Sequence, residues 1–182
     1  KTYQKFPALF FPMFEKLTHI GAQGERDYQN YLTLGVSPNR LTMTNNIKFD
    51  LTISSNDLAL SQAIKTKFEL DNRLLLVAGS THEPEEQVLL DAYLPLLNTH
   101  PKLLLVIVPR HPQRFEKVLQ LLQKQNINTA LMSKSQAVQT STQVLLCDQM
   151  GKLRSLYALA DICFVGGSLA DRGGHNALEP AA

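Results

Sequence analysis

The sequence predicts an α/β fold, a doubly wound parallel sheet with helices on both faces. Residues 74–78 and 103–108 are continuous apolar runs, and a strand apolar on both faces belongs in a parallel sheet covered from each side. From Asn56 onward such runs alternate with stretches whose apolar residues fall at helical spacing. The connections are long enough to cross over between parallel strands.

Each element has a local reason. Residues 10–17 carry a helical stretch, 19–23 a short strand, 25–34 a helix ending at Gly35 with Pro38 beyond, and 40–44 another short strand. That pattern is too brief to close a sheet. It reads as the tail of a preceding domain and a linker over residues 1–50, with the α/β domain over 51–182. Leu58, Ala59, Ala63, Ile64 and Phe68 define a helix behind an Asn56 or Asp57 cap. The run at 74–78 ends in Gly79-Ser80-Thr81, and residues 83–97 form the next helix with Pro84 in its first turn. The strand at 103–108 closes on Pro109-Arg110-His111-Pro112, before a helix over 113–125 and a short strand near 129–132. Residues 144–147 are another strand. Met150-Gly151-Lys152 then turns into a helix with Leu153, Leu156, Tyr157 and Leu159 on its apolar side. Residues 162–165 read as a last buried strand, and Gly173-Gly174-His175-Asn176 leads into the first turn of a helix. The chain stops at Ala182 inside that turn, so the second domain is expected to be truncated at its C-terminal end.

Composition narrows the class. A hydrophobic fraction of 44% with 19% charged residues over 182 positions excludes disorder. A net charge of +2, with no basic run interleaved with aromatics, excludes nucleic acid as the partner. Cys147 and Cys163 sit in apolar runs and read as buried free thiols. The longest apolar cluster, residues 6–14, carries two prolines and is far short of a membrane span; burial against neighbouring structure is its expected role, with docking on a membrane surface the alternative.

In an open parallel sheet, ligands bind beyond the carboxyl ends of the strands, and the polar motifs fall there. Arg110, held between Pro109 and Pro112, suits bidentate phosphate capture. His111 could donate to the same phosphate or be structural, and Arg114, one turn on, reads as a solvated helix residue. Ser80 and Thr81 could bind phosphate or sugar, or simply cap the following helix. Met150-Gly151 could lie against a base, or be an ordinary loop. Gly166-Gly167 and Gly173-Gly174 would let the backbone approach a ligand, with free N–H groups at the helix start beyond. Asn176 and Glu179, three residues apart, would hold a phosphate and a ribose; a favourable helix-dipole partner is the plainer role for Glu179. The G-x-G-x-x-G and G-x-x-x-x-G-K-[ST] patterns, the H-E-x-x-H and C-x-x-C metal spacings and the G-x-S-x-G elbow are all missing. No metal and no cofactor are expected.

Taken together, these motifs resemble the C-terminal half of the Kdo transferases, glycosyltransferases that move 3-deoxy-D-manno-octulosonic acid from CMP-Kdo. The resemblance rests on Asn46-Ile47-Lys48-Phe49-Asp50, Ala78-Gly79-Ser80-Thr81-His82 and Pro109-Arg110-His111-Pro112-Gln113-Arg114. It continues through Met150-Gly151, Tyr157, Ala160-Asp161, Phe164-Val165-Gly166-Gly167-Ser168-Leu169 and Gly173-Gly174-His175-Asn176-Ala177-Leu178-Glu179-Pro180. It implies a GT-B architecture of two Rossmann-like domains, the second binding the CMP-sugar. It implies CMP contacts from Pro109, Arg110, Met150, Gly151, Lys152, Asn176, Ala177, Leu178 and Glu179, with Ser80, Thr81, His111 and Gly174 as further candidates. Lys48 matches a cation that stabilises the transition state, and the family's general base is a glutamate outside this chain. Two positions depart from the family pattern. Lys152 stands where an acidic residue is usual, so only its backbone role carries over, and Ala177 stands where proline is usual.

The implied reaction is inverting transfer of Kdo to the lipid A precursor in lipopolysaccharide biosynthesis, at the cytoplasmic face of the bacterial inner membrane. Membrane attachment would be peripheral or through a segment absent here, and this fragment alone would be inactive. The alternative is a GT-B transferase or epimerase using a UDP-sugar. A nucleotide-sensing scaffold and a dehydrogenase-like cofactor domain are weaker readings.

Overall fold

The computed structural model describes residues 3–50, 52–135, 137–170 and 173–181. The chain divides into two units, Lys1–Leu51 and Thr52–Ala182.

The first unit is a single β-α-β turn preceded by a helix. Helix α1 (Pro7–Glu15) leads to β1 (Ile20–Ala22), helix α2 (Glu25–Thr33) crosses over, and β2 (Leu41–Met43) pairs parallel to β1 with Ile20 opposite Leu41. Phe14, Ile20, Leu34, Val36 and Leu41 form its core. The apolar cluster in α1 is only partly buried. Phe10 and Phe14, one turn apart, face that core, while Phe6, Leu9 and Met13 are exposed.

The second unit is the doubly wound domain. Its elements are α3 (Ser55–Lys67), β3 (Leu74–Thr81), α4 (Glu85–Tyr93), β4 (Leu103–Pro109), α5 (Phe115–Lys124), β5 (Thr129–Leu131), β6 (Val144–Leu146), α6 (Leu153–Tyr157), β7 (Ile162–Val165) and α7 (Leu178–Ala181). The strands form one sheet in the order β5-β6-β4-β3-β7, every described pair parallel. All seven residues of β4 are buried, as a central strand covered on both faces must be. Alternation along the strands separates two cores. Leu75, Val77, Leu104, Val106 and Leu145 pack with Ile64 and Phe68 of α3 and Leu156 and Tyr157 of α6. Ala78, Leu105, Ile107, Val144 and Leu146 pack on the other face with Leu90 and Tyr93 of α4 and Val118 and Leu122 of α5.

Several local expectations are corrected. Helix α3 is capped by Ser54 rather than Asn56 or Asp57: its Oγ accepts the Asp57 N–H at 3.0 Å. Thr81 caps no helix; it ends β3 fully buried, and its hydroxyl donates to Glu86 Oε1 at 2.8 Å. Ser80 lies in the same strand. Pro84 precedes α4, and residues 94–98 continue as a tighter 3-10 turn. Arg114 is no solvated helix residue: its guanidinium bridges Glu83 at 3.3 Å and the buried Glu86 at 2.8 Å. Strand β7 is an edge strand with a single described neighbour, β3, so Ile162 and Cys163 are exposed where the apolar run suggested burial.

Candidate functional site

The carboxyl ends of β3 and β4, the β6–α6 turn and the segment after β7 meet along one rim of the second unit. Their approach is close. Gly166 N–H donates to the Gly79 carbonyl at 2.8 Å, and the Arg110 N–H donates to the Thr81 carbonyl at 3.1 Å. A Cβ on Gly166 would lie 2.0 Å from the Ser80 carbonyl oxygen, so only glycine permits this junction. Tyr157 forms part of the floor and donates its hydroxyl to the Phe164 carbonyl at 3.3 Å. Burial, then the nearby Cys163 and Glu179 charges, pushes its pKa well above the ordinary tyrosine value.

Two adjoining clefts open on this rim and share Ser80, Arg110, Leu153 and Glu179. The first, about 240 Å³, adds Pro109, Met150, Gly151 and Lys152 to its lining. The second, about 190 Å³, adds Tyr157, His175 and Asn176. Gly151 has φ +75°, and nothing lies within 4 Å of where a Cβ would stand, so its backbone is open to the first cleft. Arg110 is exposed, and among the described residues no carboxylate forms an ion pair with Arg110 or Lys152. The lining thus combines two unneutralised cations, Arg110 and Lys152, with the Glu179 carboxylate, while Asp57 and Arg154 in the first cleft pair with each other at 3.8 Å. Such a cleft can hold a phosphate near the cations, hydroxyls near the carboxylate and a flat ring against Met150 and Leu153.

The clefts thus gather Pro109, Arg110, Met150, Gly151, Lys152, Asn176, Glu179 and Ser80. Other candidates lie elsewhere. Thr81 is sealed below the rim by Glu86. His111 is exposed and lines neither cleft; its ring packs edge-on against His82, centroids 5.7 Å apart. The Gly174 N–H is occupied by the Gly167 carbonyl at 2.7 Å. Asn176 precedes α7 instead of standing in its first turn, and its Oδ1 accepts the Leu178 N–H at 3.1 Å. That bond removes a donor that would otherwise face an anion, and α7 spans only four residues. Ala177 and Leu178 line neither cleft. Lys48 belongs to the first unit, exposed in the turn Ile47–Asp50, with its N–H on Asn46 Oδ1 at 3.0 Å.

Two features of the rim escaped sequence reasoning. His82 and His175, from different loops, meet Nε2 to Nε2 at 2.7 Å with their rings stacked. Glu85, fully buried, accepts backbone N–H groups from the loop after β7. A glutamate at a helix start is a visible capping signal, but its distant partners are not.

A solved structure described as the C-terminal CMP-Kdo binding domain of WaaA from Acinetobacter baumannii matches with 44% identity and a TM-score of 0.65, over 70% of this chain and 66% of that one. The fold is therefore that of the C-terminal, Rossmann-like domain of a GT-B glycosyltransferase. A family profile described as 3-deoxy-D-manno-octulosonic-acid transferase (kdotransferase) matches residues 1–51. The 3-deoxy-D-manno-octulosonic acid transferase of Haemophilus influenzae is 39% identical over 99% of this chain, which spans 42% of that protein. A bifunctional glycosyltransferase/methyltransferase of Fusobacterium nucleatum is 33% identical over 98% of the chain, 28% of its own length. The chain is similar to a Kdo transferase over nearly its whole length and spans less than half the length of these relatives.

Proposed function

We propose that the protein transfers Kdo from CMP-Kdo to the lipid A precursor in lipopolysaccharide biosynthesis, the second unit supplying the donor site. One observation carries the reading: the paired clefts present Arg110, Lys152, an open Gly151 backbone and Glu179 on a domain 44% identical to a CMP-Kdo binding domain.

In this reading the cytidine lies against Met150 and Gly151, Glu179 accepts from the ribose hydroxyls, and Arg110 with Lys152 faces the phosphate. An acceptor hydroxyl attacks the anomeric carbon and loses its proton to a carboxylate outside this chain. The bond from that carbon to the phosphate oxygen breaks with inversion, and the electron pair leaves with CMP. The leaving phosphate gains a negative charge, which Arg110 is placed to stabilise. The family resemblance gives Lys48 the same task. Its unit we assign to the tail of the acceptor domain and the linker. The acceptor is a lipid, so the whole protein works at the cytoplasmic face of the inner membrane. Among the described residues no helix is long and apolar enough to cross a membrane.

The test is transfer by the full-length protein. Kdo should pass from CMP-Kdo to the lipid A precursor, Arg110→Ala should lower kcat at least tenfold, and the 182-residue chain alone should transfer nothing. Turnover of a UDP-sugar in place of CMP-Kdo would overturn the reading.

A further inference from the structure

We propose that Glu85 is the positioning residue that sets the geometry of the donor cleft by holding the loop after β7; this rests on the clefts being the donor site. Glu85 is the first residue of α4 and is 0% exposed, yet among the described residues no lysine or arginine pairs with it. Four backbone N–H groups do so instead. His82 and Gly167 donate to Oε2, both at 2.9 Å, and Leu169 and Ala170 donate to Oε1 at 3.0 and 3.4 Å. The His82 bond is an ordinary helix-capping contact across three residues. The other three reach more than eighty residues along the chain to the loop.

That loop returns to its own root. Gly174 N–H donates to the Gly167 carbonyl and His175 N–H to the Gly166 carbonyl, at 2.7 and 3.1 Å. From this closed base the chain delivers His175, Asn176 and Glu179 to the second cleft. Fixing Gly167 therefore fixes the platform from which Asn176 and Glu179 project. The His82–His175 contact ties the returning segment to the same α4 entrance. Glu85 lines neither cleft, so it acts on the donor only through the loop.

The chemistry demands a carboxylate. Four donors converge on two oxygens, and peptide dipoles with the α4 N-terminus compensate the buried charge. Burial alone would raise the carboxyl pKa; the N–H donors from Gly167, Leu169, His82 and Ala170 outweigh it and hold it below the ordinary value. An amide of the same shape offers one acceptor oxygen, and its NH₂ would face N–H groups that need an acceptor.

The experiment compares wild type, Glu85→Gln and Glu86→Gln in the 182-residue chain, by CMP calorimetry and backbone NMR. Glu85→Gln should weaken CMP at least tenfold, shift the Gly167 and Leu169 amides and speed their exchange, and leave exchange in β4 unchanged. Glu86→Gln should keep wild-type affinity, because Glu86 bonds to Thr81 and Arg114 and not to the loop. Equal CMP affinity in wild type and Glu85→Gln, or an equal loss in Glu86→Gln, would overturn the proposal while leaving the donor site in place. Failure of the wild type to bind CMP would instead remove the donor reading itself. Should Glu85→Gln not fold, acid titration of the wild type decides. The Gly167 and Leu169 amides should titrate together with a midpoint below that of an ordinary glutamate, and independent or absent titration would refute the contact.

Discussion

Replacing Gly166 by alanine tests the rim where it is tightest. The added Cβ would stand 2.0 Å from the Ser80 carbonyl oxygen, 2.5 Å from its carbon and 2.8 Å from the Thr81 Cα. A carbon and an oxygen approach no closer than about 3.3 Å, so the two strand ends must part by more than about 1 Å. Each atom met is backbone, so no side-chain rotation relieves the contact. Overpacking of this kind costs about 1–3 kcal/mol, and the upper end applies. The Gly166 to Gly79 hydrogen bond, 2.8 Å long, is then stretched, which adds about 1 kcal/mol. At about 4 kcal/mol in all, a chain of this size should lose roughly 8–16 °C in Tm. Ser80 borders both clefts, so nucleotide affinity should fall at least tenfold in calorimetry. Gly24→Ala is the control: nothing lies within 4 Å of its Cβ, and it should change neither quantity appreciably. A Gly166→Ala protein with wild-type Tm and affinity would refute the close-approach argument.

Other consequences are readily measured. Glu179→Ala should weaken CMP binding by about 1.5–3 kcal/mol, the worth of a hydrogen bond to a charged group, with Tm nearly unchanged; equal affinity would remove the ribose assignment. Burial pushes the Tyr93 hydroxyl up to about 12, partly opposed by the Leu105 N–H and Arg73. The neutral form is thus favoured on folding. Its stabilisation is complete below about pH 10 and is lost as pH rises through about 12, so alkaline denaturation should show that slope and Tyr93→Phe should flatten it. Cys147 is buried with its thiol pushed up to about 11, chiefly by burial, while Cys163 is exposed. A thiol reagent at pH 8 should label Cys163 fast and Cys147 only on unfolding. Finally, CMP is a monophosphate leaving group with no diphosphate to chelate a metal, so transfer by the full-length protein should survive EDTA. Loss in EDTA and recovery with magnesium would contradict this.

The sheet was legible because its strands are apolar on both faces. Residues 74–78 and 103–108 could sit nowhere but the centre of a covered sheet, and they do. The rim loops were legible for the related reason that a parallel sheet puts its βα connections at one end. Errors arose where tertiary neighbours decide. The run at 162–165 looks as buried as the others, but apolar composition carries no information about whether a strand has one neighbour or two. Arg114 looked like surface because its partners, Glu83 and Glu86, are about thirty residues away. Thr81 and Asn176 illustrate a subtler limit. Both carry polar groups suited to a ligand, yet one is committed to Glu86 and the other caps the following helix. Glu85 was missed because its function depends on three long-range backbone contacts, which no local spacing encodes.

In the proposed function, the rim of the second unit holds a cytidine nucleotide. Titrating the 182-residue chain with CMP, UMP and UDP while following backbone amides tests it most directly. Selective CMP binding is expected, with shifts concentrated at Arg110, Gly151, Asn176 and Glu179. A preference for UDP, or shifts that bypass those four residues, would contradict it.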